Sequence, residues 1–358
     1  GSLIIADLIR VFRLPLIATQ YQYSTVLISL FLGLTAIVFS QILNLGKIFS
    51  RWLVFFLYFG GDLIYFLIIL FGKGSFFSMS SLEDGARFLG NPPRAFAIVV
   101  FFAGLSLLTL WIKRKDFFLG ILMAIVFGSL VGFKTYVGIF GLVGLATLGV
   151  YYLLIKKDLK MIIPIVLVPL LSLIIYLPVN TQAGGLFFLG FWRFEDFIVQ
   201  PGLGLVRLEL ARRIYLEHNN WLRVVQQELI FIILYVLAIF GTKLFGLFQT
   251  KKSLSLIPKE INLFLISGVF VSAIAGFFFQ QNVGGSNTFN FLVSIFIIGS
   301  IYTALACFYW GEKIKNKFLK TVFVLIIIIL TLPRVANEGC LNIKRITQKS
   351  EFMFGNSE

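Results

Sequence analysis

Long hydrophobic stretches separated by short clusters of lysine and arginine dominate this chain. Ten such stretches can be marked, at about 22–43, 52–71, 95–112, 117–133, 135–155, 161–178, 228–248, 261–279, 288–309 and 318–333. A helix needs about 20 apolar residues to cross the hydrocarbon core, and only helices or closed barrels satisfy their backbone there. The runs are continuous and not alternating, which excludes barrel strands. The pattern predicts an all-α polytopic integral membrane protein of about ten transmembrane helices. It forms a single transmembrane domain over 1–358, undivided by any fixed-period repeat or linker.

Numbering the connections alternately gathers Lys47/Arg51, Lys113/Arg114/Lys115, Lys156/Lys157/Lys160, Lys243/Lys251/Lys252/Lys259 and Lys313/Lys315/Lys317/Lys320 on one side. These short connections hold about half of the 31 basic residues. By the positive-inside rule that side faces the cytoplasm, and both termini face outward. The opposite side owns the long loops 72–94 and 179–227 and the short turn 280–287. Binding and catalytic groups concentrate on long, anchored loops, so the active face is expected outside the membrane.

One lysine, Lys134, stands alone in a stretch, 117–155, that otherwise carries no charge. Residues 117–155 would make a helix about 58 Å long at 1.5 Å per residue, roughly twice the hydrocarbon core. With basic clusters at both ends the stretch must cross twice, turning at Gly132-Phe133-Lys134-Thr135-Tyr136. Lys134 is therefore expected at the outer tip of a hairpin. There it either snorkels to the interface as an anchor, with Tyr136 as an interfacial aromatic, or holds an ammonium ready for a phosphate.

Gly60-Gly61-Asp62 lies within the second stretch and makes Asp62 the most deeply placed carboxylate. A charge at that depth is expensive, so it marks a function, or else a protonated structural acid beside a glycine packing face. The loop Ser78–Ala97 combines Glu83-Asp84 with Arg87, Arg94 and the rigid turn Asn91-Pro92-Pro93. Adjacent carboxylates suit a solvated loop first, and otherwise a divalent metal ion or a general base. In 179–227, Leu203–Leu216 carries Arg207, Arg212 and Arg213 among apolar residues at helical spacing, as a helix lying in the interface does. Those arginines can clamp a diphosphate or hold lipid head groups. Arg193, Glu195 and Asp196 precede them as rim candidates, and the amide-rich turn Gln280–Asn290 can cap a helix or bind sugar hydroxyls.

Composition agrees with the pattern: 59% hydrophobic, 16% aromatic, 13% charged, with a mean hydropathy of +0.96. The net charge of +15 would suggest nucleic acid in a soluble protein. Here the cations punctuate apolar runs, where they set orientation against anionic lipid, so nucleic-acid binding is rejected. Cys307 and Cys340 have no metal spacing, and His218, the sole histidine, excludes sites built on two histidines. The Gly1-Ser2 opening reads as a cloning scar, and the chain is expected to be a fragment lacking an N-terminal part.

The order of Gly60-Gly61-Asp62, Asn91-Pro92-Pro93, the Gly132–Tyr136 hairpin and Asn287-Thr288-Phe289 resembles large bacterial membrane proteins of the GT-C glycosyltransferase superfamily. The resemblance implies a transferase that takes a sugar from a polyprenyl-phosphate carrier at the outer face of the bacterial cytoplasmic (inner) membrane. Such proteins usually keep a catalytic Asp or Glu in the first outer loop, and that element is not recognisable in this chain. Asp62, Glu83 or Asp84 would then supply the carboxylate. Lys134, Tyr136, Arg193, Arg207, Arg212 and Arg213 would hold the carrier's phosphate region, and Asn287 a sugar hydroxyl. Two other classes compete: a lipid or glycan transporter, which would place its polar site in interrupted helices near the midplane, and a non-catalytic scaffold.

Overall fold

The computed structural model describes residues 2–13, 23–71, 91–179, 185–190, 205–282 and 288–347. In chain order the helices are α1 (Ser2–Phe12), α2 (Ser24–Ile42), α3 (Gly46–Tyr58), α4 (Ile64–Phe71), α5 (Pro92–Arg114), α6 (Phe117–Phe133), α7 (Thr135–Tyr151) and α8 (Ile162–Val179). A strand β1 (Leu186–Phe188) precedes α9 (Val206–Glu217) and α10 (Trp221–Phe240), and α10 runs on into a 3-10 helix, Gly241–Leu247. Then come α11 (Lys259–Phe278), β2 (Phe279–Gln281), α12 (Phe289–Lys313) and α13 (Lys317–Thr347).

Seven helical segments among the described residues are long and apolar enough to cross a membrane: Ser24–Ile42, Pro92–Arg114, Thr135–Lys156, Leu159–Pro178, Trp221–Leu247, Lys259–Phe278 and Phe289–Lys313. The protein is thus an α-helical integral membrane protein. The expected ten spans are not reproduced as ten long helices. The stretch 52–71 is two shorter helices, α3 and α4, and α6 is an apolar helix of 17 residues.

The basic clusters do meet at one end of the bundle. Lys113 donates to the Ile42 carbonyl, Lys115 pairs with Asp158 at 3.0 Å, and Lys156 and Lys259 both lie over the Tyr151 ring. Trp310 Nε1 donates to Phe248 O, and Lys320 pairs with Glu312 at 2.9 Å. The opposite end carries Asn91, the α6–α7 junction at Lys134, the β1–β2 ribbon and the start of α12. Asn91 is not merely a turn residue: its side chain accepts from Arg94 N and caps α5, with Pro92 and Pro93 in the first turn, where a missing N–H costs nothing. The turn expected at 280–287 begins as a strand, since Phe279–Gln281 pairs antiparallel with Leu186–Phe188.

The post of the bundle is α12. Its apolar window is 83% enclosed, against 28% for α2 and for the α8 segment, whose outward faces are left for lipid. Close approach between helices comes from glycine. Gly144 of α7 lies under Phe264 of α11, and Gly268 of α11 lies under Phe140 of α7, a reciprocal fit of small against large. Gly120, Gly128 and Gly132 of α6 face Pro164, Leu171 and Ile175 along α8. Phe101, Phe127, Phe140 and Phe264 close the centre, with ring centroids 5.3–6.3 Å apart, mostly edge to face.

Two helices break inside the bundle and cross at their breaks. Between α3 and α4 the segment Phe59–Leu63 is not helical, and α10 ends at Gly241, whose φ is +46°. Freed backbone groups find one another there: Leu63 N donates to Ala238 O at 2.8 Å, and Thr242 donates to Gly61 O through N (3.2 Å) and Oγ1 (3.1 Å). From α12, Ser300 Oγ reaches Phe56 O and Thr303 Oγ1 reaches Lys243 O. In oil these partners are obligatory, because water cannot replace them.

A methyl group at Gly241 would lie 2.7 Å from Asp62 Cα, on a backbone conformation that side chains resist. Gly241→Ala is expected to lower stability in detergent by about 2–4 kcal/mol. Gly46, at φ +74° but with open space around it, separates the two effects. Gly46→Ala should cost only about 1 kcal/mol. Thermal unfolding of both variants checks the crossing, and equal losses would refute it.

Candidate functional site

The expected site residues fall into three groups in space, and only part of the expected set is joined. Asp62 stands in the break between α3 and α4, fully enclosed, with Gly241 packed against its backbone. It is not in the middle of a continuous helix. Sequence spacing could not reveal this, because the apolar run continues through 63–71 without a polar residue.

Lys243 shares that crossing, which corrects its expected place in a cytoplasmic loop. It is 4% exposed, its Nζ donates to Phe296 O at 2.9 Å and lies 3.4 Å from the Phe296 ring centroid. A Cβ on Gly60 would come within 2.8 Å of its Cε, so the glycine is what admits the lysine stem. On insertion scales a lysine at a helix centre costs about 3 kcal/mol, which the carbonyl and the aromatic face offset. The α3 and α10 C-terminal ends point into the same region, and the negative ends of helix dipoles favour a cation. Beside it, Phe240, Leu244, Leu247, Ile266, Val269 and Tyr302 help to line an apolar cavity of about 340 Å³.

The second group is the arginine helix. The expected interfacial helix exists as α9, with Val206, Leu210 and Ile214 exposed. Its arginines, however, face a carboxylate that the sequence reading did not single out. Glu209, 3% exposed, receives Arg212 Nε at 2.8 Å, Arg212 Nη2 at 2.9 Å and Arg213 Nε at 2.7 Å, and Arg212 also lies 3.5 Å from Glu228 of α10. The spacing Glu209-x-x-Arg212-Arg213 is an i,i+3/i,i+4 pairing and could have been read from the chain. The bonds to Glu209 stay within α9, and the Arg212–Glu228 contact ties α9 to α10.

The third group surrounds Lys134 at the end opposite the basic clusters. Lys134 is the extended junction residue between α6 and α7, partly enclosed, with its Nζ 5.7 Å from the Tyr136 ring centroid. Tyr136 donates its hydroxyl to Gln281 Oε1 of β2 at 3.0 Å and sets its ring edge-on to Phe291 of α12, 4.8 Å away. Phe133 stacks on Phe96 of α5. Arg94, 8% exposed, donates from Nη1 to Asn290 Oδ1 at 3.4 Å. Below the tip, Val131, Thr135, Ile139 and Leu142 face Pro169, Ser172, Leu173 and Tyr176 across a mostly apolar cavity of about 330 Å³. The hairpin expectation for Lys134 thus agrees with its position, whereas Arg94 and Gln281 were not assigned to it.

Glu83, Asp84, Arg193 and Asn287 lie outside the described residues, as do Glu195 and Asp196. Arg207 lies in the first turn of α9. His218 is the exposed C-cap residue of the same helix. Among the described residues no three His, Cys, Asp or Glu side chains gather as a metal site would require.

The fold and these clusters define a polytopic α-helical membrane protein with charged groups both inside the bundle and at one of its ends. Comparison with protein-family models, with curated proteins and with solved structures found no match to the chain.

The arginine cluster generates a graded expectation. Arg212 is 15% exposed and bonded to two acids, whereas Arg213 is 57% exposed. Arg212→Ala should therefore cost about 2 kcal/mol and Arg213→Ala under about 1 kcal/mol. Unfolding monitored by protease protection of the 205–240 region checks the order, and an inverted order would contradict it.

Proposed function

We propose that the protein is a glycosyltransferase that receives a polyprenyl-phosphate-linked sugar at the end of the bundle bearing Lys134, facing outward from a bacterial cytoplasmic membrane. The observation that carries this reading is the pairing of a cation with an apolar cavity. The α6–α7–α8 cavity is lined by Val131 and Thr135, which flank Lys134 in the chain, and this suits a lipid tail in the cavity with its phosphate at the junction. An ammonium on a flexible stem is a good phosphate partner at a membrane interface. Tyr136, held by Gln281 and Phe291, fixes the aromatic surface on which Lys134 rests.

In the reaction the acceptor hydroxyl attacks the anomeric carbon, a carboxylate takes the hydroxyl proton, and the sugar–phosphate bond breaks with its electron pair leaving on the lipid phosphate. Cations at the leaving oxygen stabilise that charge. Asp62 is enclosed in the helix crossing and cannot meet an acceptor there. In this reading Glu83 or Asp84, which the sequence pattern assigns to the stretch 72–94, carry the base role. Arg212 and Arg213 serve this reading as a brace for α9, because their guanidinium groups are engaged by Glu209.

Binding of a polyprenyl phosphate, against the matched lipid alcohol, is expected to be phosphate-dependent in the wild type. Lys134→Ala should weaken it by about tenfold or more, the value of one charge-assisted contact. Equal binding by wild type and variant would return Lys134 to an interfacial anchor.

A second reading, a lipid transporter, is favoured by the crossing of two interrupted helices with Asp62 and Lys243 inside the bundle. On that reading, proteoliposomes should move a fluorescent lipid between leaflets faster than protein-free vesicles, and Asp62→Asn should abolish the excess. Wild-type rates equal to those of empty vesicles would remove it.

A further inference from the structure

The apolar cavity beside the 3-10 helix Gly241–Leu247 has a lining that runs from Lys243, inside the bundle, to Gln249 and Leu254, which bracket the basic residues Lys251 and Lys252. Its polar lining groups are already satisfied by the protein. Lys243 Nζ donates to Phe296 O, Gln249 Nε2 to Gly246 O (3.0 Å) and Tyr302 O (2.7 Å), and the Tyr302 hydroxyl to Asn262 Oδ1 (3.1 Å). Such a lining asks nothing polar of an occupant, and an apolar cavity does not hold water. The lining residues Leu247 and Ile266 are largely exposed on the surface of the bundle, so the cavity borders the region where lipid chains lie.

Size and charge identify the occupant. An apolar cavity of about 150 Å³ accepts a benzene ring, and on that scale the present 340 Å³ accommodates about a dozen carbons of an alkyl chain. Lys251 and Lys252 are exposed and belong to a single helical turn, Lys251–Leu254, fixed by a capping box between Thr250 and Ser253. Leu254 ends that turn and lines the cavity, so both lysines stand within about one 5.4 Å helical pitch of its wall along the backbone. Among the described residues neither pairs with a carboxylate, whereas Lys115 is held by Asp158 and Lys320 by Glu312. Lys313 lies over the Tyr309 and Trp310 rings, and the Trp310 indole donates to the carbonyl of Phe248, the residue before Gln249. Tyrosine and tryptophan favour the membrane–water interface, which puts this basic turn at head-group depth.

We propose that this cavity and the turn beside it form a binding site for an anionic phospholipid, with one acyl chain in the cavity and the phosphate on Lys251 and Lys252. Neither part specifies that ligand alone. A chain in an apolar cavity is indifferent to the charge of its head group, and two exposed lysines are indifferent to whether a phosphate carries a chain. Placed one helical turn apart, they select a molecule with both. The site stands independently of the polyprenyl-phosphate reading, which concerns the other end of the bundle.

The test uses the full chain in detergent, native mass spectrometry to count bound lipid, and three probes: dioleoyl phosphatidylglycerol, dioleoyl phosphatidylcholine, and glycerol phosphate as a head group without chains. The wild type is expected to bind phosphatidylglycerol about tenfold or more tighter than phosphatidylcholine, the combined effect of two lysines on an anionic lipid, and not to bind glycerol phosphate. The double variant Lys251→Gln/Lys252→Gln, altered only at exposed positions, should bring the two lipids within about threefold of each other. Val269→Phe, which puts a ring into the cavity, should weaken phosphatidylglycerol by about fivefold or more. Equal wild-type affinity for the two lipids, or a preference kept by the double variant, overturns the site at its head-group end. Phosphatidylglycerol binding unchanged in Val269→Phe overturns it at the cavity. Glycerol phosphate binding as tightly as phosphatidylglycerol does the same, and this arm decides the role of the cavity if Val269→Phe does not fold.

Discussion

The hydrogen bonds between two broken helices are the constraint on which this bundle depends. A helix that stops inside a membrane leaves carbonyl and amide groups that oil cannot solvate. Here the break after α3 and the break after α10 solve each other's problem, through Leu63 to Ala238 and Thr242 to Gly61, with Ser300 and Thr303 of α12 supplying hydroxyl donors. The geometry permits no side chain at Gly60 or Gly241, since a Cβ would meet Lys243 at the first and Asp62 at the second. Glycine is therefore what lets the crossing close, and the crossing is what allows an acid and a lysine to stand inside the bundle.

Two isolated lysines show how position sets the role of a charge. Lys243 is enclosed, bonded to a carbonyl and seated on a phenylalanine face, and its cation answers the negative ends of two helices. Lys134 stands at a helix junction beside a tyrosine held by α12 and β2, over an apolar cavity at the end of the bundle. The first holds elements together. The second joins α6 to α7 at the end of the bundle opposite the basic clusters.

The arginines of α9 give the opposite lesson. At the level of sequence, three arginines among apolar residues look available to an anion. In the structure, two of them spend their donors on Glu209, an acid that is almost fully enclosed. Arg212 also reaches Glu228 and so ties α9 to α10. Arg94, read within a loop that suited a metal ion or a base as well as plain solvation, is enclosed and bonded to Asn290 in the first turn of α12.

The sequence by itself determined that the chain is helical and crosses a membrane, that the 117–155 stretch turns back at Lys134, and which ends of the helices share the basic side. These follow from properties carried by single segments: apolar length, charge placement and helical pitch. It did not determine the break at Gly60-Gly61, the interior position of Lys243, the β1–β2 ribbon, or the reach of Arg212 to Glu228. An apolar run reads the same whether its helix is whole or broken, because the signal lies in side chains and the break is satisfied by another segment's backbone. Only tertiary structure decided these, since each depends on a partner distant in the chain or on a burial that composition does not encode: residue 238 for 63, residue 61 for 242, and residue 290 for 94.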